Sequence, residues 1–129
     1  MTSEGRQGDL EYGRKVRAKV LGLDNVSTGR NSDSTIPDLG ELSDEVLWGR
    51  IWGRPGVDIK LRSIATVVAL LTLERYDYAR IHIGGAKNLG VSRIEMSEII
   101  FQLTFYVGLP VVHEGLKIVS EIYGVNNEN

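Results

Sequence analysis

His82 is the residue whose type and surroundings first suggest chemistry. It stands between Ile81 and Ile83, one helical turn after Tyr78 and just ahead of Gly84-Gly85-Ala86. Residues four apart on a helix share a face, so Tyr78 and His82 would act side by side. The small residues that follow let another backbone or a ligand come close. Imidazole titrates near neutrality, which suits a general acid or base. The structural alternative is a core histidine with one hydrogen bond. Arg62 lies in a largely uncharged stretch, where a guanidinium needs an anion. That anion is either an internal carboxylate, such as Glu95 or Glu98, or the carboxylate of a substrate. His113, followed by Glu114 and preceded by Pro110, suits a surface or interface position as well as a pocket. Gly84-Gly85-Ala86-Lys87 is not a phosphate loop, because the spacing before Lys and the Ser or Thr after it are missing.

The elements that must position these side chains all read as helices. A first helix is predicted from about Leu10 to Leu21, capped by Gly22, after a frayed tail over residues 1–8. Residues 24–37 read as a loop. Asp38 and Glu41 have capping-box spacing and open a helix carrying Leu42, Val46, Leu47, Ile51 and Trp52, which Arg54-Pro55-Gly56 ends. Asp58 can cap the next helix, which runs to about Arg75 and is apolar all round from Ile64 to Leu71, the pattern of a central helix. A helix from Asp77 to Leu89 stops at Gly90, and Ser92 with Glu95 opens another that ends near Val107-Gly108. Pro110 suits the first turn of a last helix reaching Ile122 before Gly124. Residues 64–68 are β-branched enough to suggest a strand, but their helical flanks decide against it. The expectation is an all-α bundle of about six helices. It forms one domain, with a tail, helix and loop over residues 1–40 and the helical domain over 41–124.

Composition narrows the chemistry further. The chain has 129 residues and no cysteine, so thiol nucleophiles, CxxC redox pairs and Cys-ligated zinc are excluded. With 2 histidines, an all-protein metal cage would have to be mostly carboxylate. Fifteen Lys and Arg against 17 Asp and Glu leave a net charge of −2, unlike the basic footprint of a nucleic-acid binder. The first residues hold no apolar signal segment and no apolar run is long enough to span a bilayer, so a soluble, cytoplasmic protein is expected. Asn25-Val26-Ser27 matches the glycosylation pattern by chance. The helix with Ile94, Met96, Ile99, Ile100, Leu103, Phe105 and Val107 is apolar on more than one face, and Trp48 and Trp52 sit a turn apart between glycines. Such surfaces are normally covered by another chain, which predicts a homo-oligomer.

Several stretches resemble the carboxymuconolactone decarboxylase family. They are Trp48-Gly49-Arg50-Ile51-Trp52-Gly53-Arg54-Pro55-Gly56-Val57, Leu61-Arg62-Ser63-Ile64, the run from His82 through Ser92, and Glu95 and Glu98 on to Tyr106-Val107-Gly108-Leu109-Pro110. The resemblance implies an all-α, cofactor-free enzyme assembled into a ring, a trimer or hexamer. The missing cysteines exclude the peroxide-reducing branch, which resembles alkyl hydroperoxidase D. In the decarboxylase branch a small unsaturated lactone acid loses carbon dioxide, with the lactone carbonyl accepting the developing charge. On that template His82 and Tyr78 are the catalytic candidates and Arg62 holds an anionic group. Trp48, Trp52, Tyr106 and His113 are further substrate-binding candidates. The family pattern ELxxH places Glu where this chain has Tyr78. A phenol donates a hydrogen bond instead of acting as a base at pH 7, which suits stabilising an enolate or phenolate oxygen. Asp77 points about 100° away around the helix and is a poor substitute. Three readings follow: a decarboxylase or related lyase on a small cyclic acid; a cofactor-free isomerase, dehydratase or cyclase on an enolisable cyclic substrate; and an inactive oligomeric binding protein.

Overall fold

The computed structural model describes residues 3–22 and 34–124, with side chains from residue 8 onward in the first stretch. Its contacts fall into two compact units, the first ending at Asp58 and the second beginning at Ile59. Among the described residues every regular element is helical.

In the first unit, α1 (Ser3–Leu21) begins earlier than predicted, at a point where a frayed tail was expected. It ends as predicted at Gly22, whose φ of 92° needs no Cβ to be accommodated and whose N–H bonds the Ala18 carbonyl. The predicted loop lies outside the described residues up to residue 33. Asp38 caps α2 (Leu39–Leu42) by accepting hydrogen bonds from the Gly40 and Glu41 amides at 2.8 and 3.3 Å. The chain then continues as a π-helix, Ser43–Trp52, where a plain α-helix was expected. Asp44, Trp48 and Trp52, each four residues apart, are its buried residues.

The π-helical segment packs on α1 through a crossing that admits no side chain. A Cβ at Gly13 would lie 1.6 Å from the Asp44 carbonyl oxygen, and one at Gly49 would lie 2.5 Å from that of Asp9. Ion pairs flank the crossing. Arg17 and Arg14 approach the Asp44 carboxylate at 3.3 and 3.7 Å, and Arg50 reaches Asp9 at 3.0 Å.

The second unit holds α3 (Ile59–Thr72), α4 (Tyr76–Asn88), α5 (Arg93–Gln102), α6 (Thr104–Val107) and α7 (Leu109–Tyr123). Helix α4 touches both α3 and α7, and α7 also touches α5 and α6. Val67, Leu71, Ala79, Ile83, Ala86, Met96, Ile100 and Ile118 interlock at its centre with no exposed surface. The central position expected for α3 does not hold: it buries a single stripe, Ser63, Val67 and Leu71, and leaves Leu61, Ala65 and Ala69 exposed, while α7 is the helix that touches α3, α4, α5 and α6. Helix α3 ends three residues before the predicted Arg75, because Glu74 turns left-handed at φ 56° and the Arg75 amide bonds back to the Leu70 carbonyl. The turn is the left-handed helix stop usually given to glycine.

The Ser92 capping box is complete: Glu95 N–H donates to Ser92 Oγ, and Ser92 N–H donates to Glu95 Oε1, both at 3.0 Å. The helix predicted from Ser92 to Val107 is broken at Leu103, whose N–H bonds the Ile100 carbonyl, while the Thr104 hydroxyl bonds that of Phe101. The described residues therefore contain seven α-helices and a π-helix rather than about six helices. At the far end of α7, Lys87 donates to the Ile122 carbonyl, Arg93 to that of Gly124, and the Tyr123 hydroxyl to that of Val91 at 2.7 Å.

Candidate functional site

Helix α4 sorts its residues by angle. Ala79, Ile83 and Ala86 form the buried stripe. Arg80 and Lys87 lie on one flank and reach α7: Arg80 pairs with Glu121 at 2.6 Å, and Lys87 bonds the Ile122 carbonyl. At about 100° per residue, His82 lies on the opposite flank, in line with Tyr78, Gly85 and Leu89. The structure therefore keeps the predicted pair on one edge, with unequal exposure. Tyr78 is 60% exposed, whereas His82 sits at the border of the core. Burial lowers the imidazole pKa from its usual value.

Helices α3 and α4 are joined by a short turn and run antiparallel. A Cβ at Gly90 would touch Lys60 Nζ at 3.4 Å, which sets the start of α3 beside the end of α4. The α3 stripe of Ser63, Val67 and Leu71 joins the shared core. Arg62 stands next to that stripe, half-buried, with its Nε atom buried. The Thr66 hydroxyl, one turn on, donates to the Arg62 carbonyl at 2.8 Å. Glu95, one of the internal partners considered for Arg62, uses Oε1 in the capping box.

The other candidates lie elsewhere. Trp48 and Trp52 are buried, at 4% and 6% exposure, with ring centroids 4.7 Å apart. This corrects the expectation that they form an open surface awaiting another chain: each indole already has the other ring for a partner. Tyr106 projects from α6 at 85% exposure, beside Phe105 at 97%. His113 is exposed on α7, on the face opposite the buried residues Val111, Gly115 and Ile118. The protomer does not gather these residues around His82 through any described contact. Among the described residues no three His, Asp or Glu side chains cluster in a way that could hold a metal ion. No helix there is long and apolar enough to cross a membrane.

Sequence reasoning missed two buried polar groups. Asp44 is 4% exposed and sits between two arginines. Its spacing of four from Trp48 was the available signal. Ser63 is fully buried, and among the described residues its hydroxyl has no hydrogen-bond partner, unlike Thr66 and Thr72 on the same helix. Nothing in its spacing distinguishes it.

The family model for the carboxymuconolactone decarboxylase family matches residues 37–121, a span that holds every candidate residue above. The chain belongs to the carboxymuconolactone decarboxylase family. A protein named 4-carboxymuconolactone decarboxylase, from Acinetobacter baylyi, is 32% identical over 114 residues, covering 88% of this chain and 85% of the relative. Nitrosuccinic acid decarboxylase npaB from Metarhizium robertsii is 33% identical over 127 residues, covering 94% of this chain and 89% of the relative. An uncharacterised 15.0 kDa protein of Paracoccus denitrificans is 26% identical over 101 residues, with 77% and 75% covered. Membership in the carboxymuconolactone decarboxylase family confirms the family expectation drawn from the tryptophan, histidine and Tyr106–Pro110 motifs.

Proposed function

We propose that this chain removes carbon dioxide from a small carboxylic acid whose carboxylate lies next to an electron-accepting group. The observation that carries this reading is the match to two relatives named as decarboxylases over 85% and 89% of their lengths. The acids in those names share one chemical property. In carboxymuconolactone the ring double bond connects the breaking bond to the lactone carbonyl. In nitrosuccinic acid the nitro group stands on a carbon that bears a carboxylate. In either case the C–C bond breaks toward the acceptor, and its electron pair comes to rest on oxygen. The acceptor is thus part of the substrate, which supports a cofactor-free reaction. The acyclic nitro acid widens the substrate class beyond the ring acids implied by resemblance.

Three tasks remain for the protein: seating the carboxylate, stabilising the new oxyanion and returning a proton to carbon. Arg62 suits the first, with a planar guanidinium that pairs with a carboxylate. His82 and Tyr78, on one edge of α4, suit the other two. The exposed Phe101, Phe105, Tyr106 and Leu109 support assembly into a homo-oligomer, a trimer or hexamer, that covers them.

The test is carbon dioxide release from carboxymuconolactone and from nitrosuccinic acid, measured against the uncatalysed rates. Acceleration is expected with at least one acid, and its loss in His82→Ala with helix content retained. A wild-type chain that accelerates neither would refute the decarboxylase reading.

A further inference from the structure

We propose that the aromatic face of α5, α6 and α7 docks into the groove along α2 and the π-helical segment of a second copy of this chain. The pairing rests on the homo-oligomer reading above and names the surface on which the exposed aromatic face comes to rest. Phe101, Phe105, Tyr106 and Leu109 fall within nine residues, where α6 touches both α5 and α7. Phe105 is 97% exposed, so no described residue covers it. Single exposed apolar side chains are ordinary, but large ones gathered in one place mark a contact surface. Aromatic rings act there as anchors, and an anchor needs a recess in the partner.

The first unit holds such a recess. A groove of about 480 Å³ is lined by Leu42 and Val46, which are 48% and 39% exposed, and by Asp38, Glu41 and Glu45. Arg50, which pairs with Asp9 and Glu45, stands at its far end. The groove therefore joins apolar side chains to an acidic rim. The aromatic face carries the matching pattern. His113 and Lys117 follow Leu109 at spacings of four, on the same side of α7. Neither makes a hydrogen bond or ion pair with a described residue. The acids of α7 are turned elsewhere: Glu114 acts on Tyr76 and Arg80, and Glu121 pairs with Arg80. At the other end of the face, Glu98 stands one turn before Phe101. With Lys117 over Glu41 and Glu98 toward Arg50, the aromatic rings meet Leu42 and Val46, and each charged end meets its opposite.

The groove lies in the unit that ends at Asp58 and the aromatic face in the unit that begins at Ile59, so the contact joins two different surfaces. Each copy lends its face to one neighbour and its groove to another. Repeated contacts of this kind close into a ring when the rotation between copies closes. A face that met its own image would stop at a pair.

The experiment measures mass by sedimentation and light scattering for the full chain, as wild type, Leu42→Asp, Phe105→Asp, and Lys117→Glu with and without Glu41→Lys. All four positions are exposed, and circular dichroism checks that helix content is kept. Wild type should be an oligomer, and Leu42→Asp and Phe105→Asp should each lower its mass. Mixed together, those two variants should form a one-to-one pair, because one retains the face and the other the groove. Lys117→Glu should weaken association several-fold, and Glu41→Lys in the same chain should restore part of it. An oligomer kept intact by either single aspartate variant, or a mixture that forms no pair, would overturn this pairing and leave the homo-oligomer reading standing. A monomeric wild type would overturn both. Carbon dioxide release tests the decarboxylase reading separately.

Discussion

The two units hold their helices together by different means. In the N-terminal unit, α1 and the π-helical segment approach until backbone meets backbone at Gly13 and Gly49, and charged pairs centred on the buried Asp44 flank the contact. The C-terminal unit relies on interlocked aliphatic side chains such as Leu71, Ile83, Ile100 and Ile118. Its ion pair Arg80–Glu121 lies on the surface, where such pairs contribute little. A side-chain core adapts by small rotations, so its tolerance is graded. A backbone crossing has nothing to rotate. The candidate proton-transfer pair sits on the adaptable unit, and the tryptophan pair sits beside the rigid crossing.

Glycine substitution tests the contrast most severely at Gly13. Gly13→Ala places a methyl group where the Asp44 carbonyl already lies, and neither partner can move without shifting a helix. The cost should be at least about 3 kcal/mol. Hydrogen exchange would read it: protection should collapse across α1 and residues 43–52 while persisting at Val67 and Ile83. Equal protection in wild type and variant would mean that the crossing is looser than this geometry.

Gly115→Ala asks the same question of the aliphatic core. Its Cβ would lie 3.0 Å from Ile100 Cγ2, a branch methyl that must yield by a few tenths of an ångström, and 3.3 Å from Leu71 Cδ1, the end of a side chain that can rotate. Relief of helical glycine entropy offsets part of the crowding, leaving a loss of about 1 kcal/mol or less in urea denaturation. A loss as large as that of Gly13→Ala would erase the distinction between the units.

The same distinction explains what could be read from the sequence. The order of helices, the Ser92–Glu95 box and the stops at Gly22, Gly90 and Gly124 were legible, because capping and apolar periodicity are local. His82 and Tyr78 were legible as a pair, because a spacing of four is a helical fact. The π-helix was not: the apolar spacing of Ser43–Trp52 reads equally as an α-helix, and the close approach of α1 at Gly13 to Asp44, 31 residues later, is a tertiary contact. The break at Leu103 was hidden for a related reason. A continuous apolar run shows burial but not where a helix stops; the Leu103 N–H bond to the Ile100 carbonyl and the Thr104 hydroxyl bond mark the place. The burial of Trp48 and Trp52 against each other was likewise invisible, because aromatic spacing does not say whether the partner is a substrate, another chain or the neighbouring ring.

The smallest effect comes from His82 itself, and it tests whether that side chain belongs to the adaptable core. In the unfolded chain the imidazole takes up a proton near pH 6.5. In the folded chain burial delays uptake to lower pH. Between those two values the unfolded state holds more protons, so stability rises with pH across that window. Wild type should therefore lose stability as pH falls from 6.5 through the folded value, and His82→Gln, which cannot titrate, should not share that part of the loss. The measurement is the stability difference between wild type and His82→Gln by urea denaturation at a series of pH values. It should move against wild type toward acid and level off below the folded pKa. A difference independent of pH would show the imidazole to be as open to water as the phenol one turn before it, and the contrast in depth between Tyr78 and His82 would be lost.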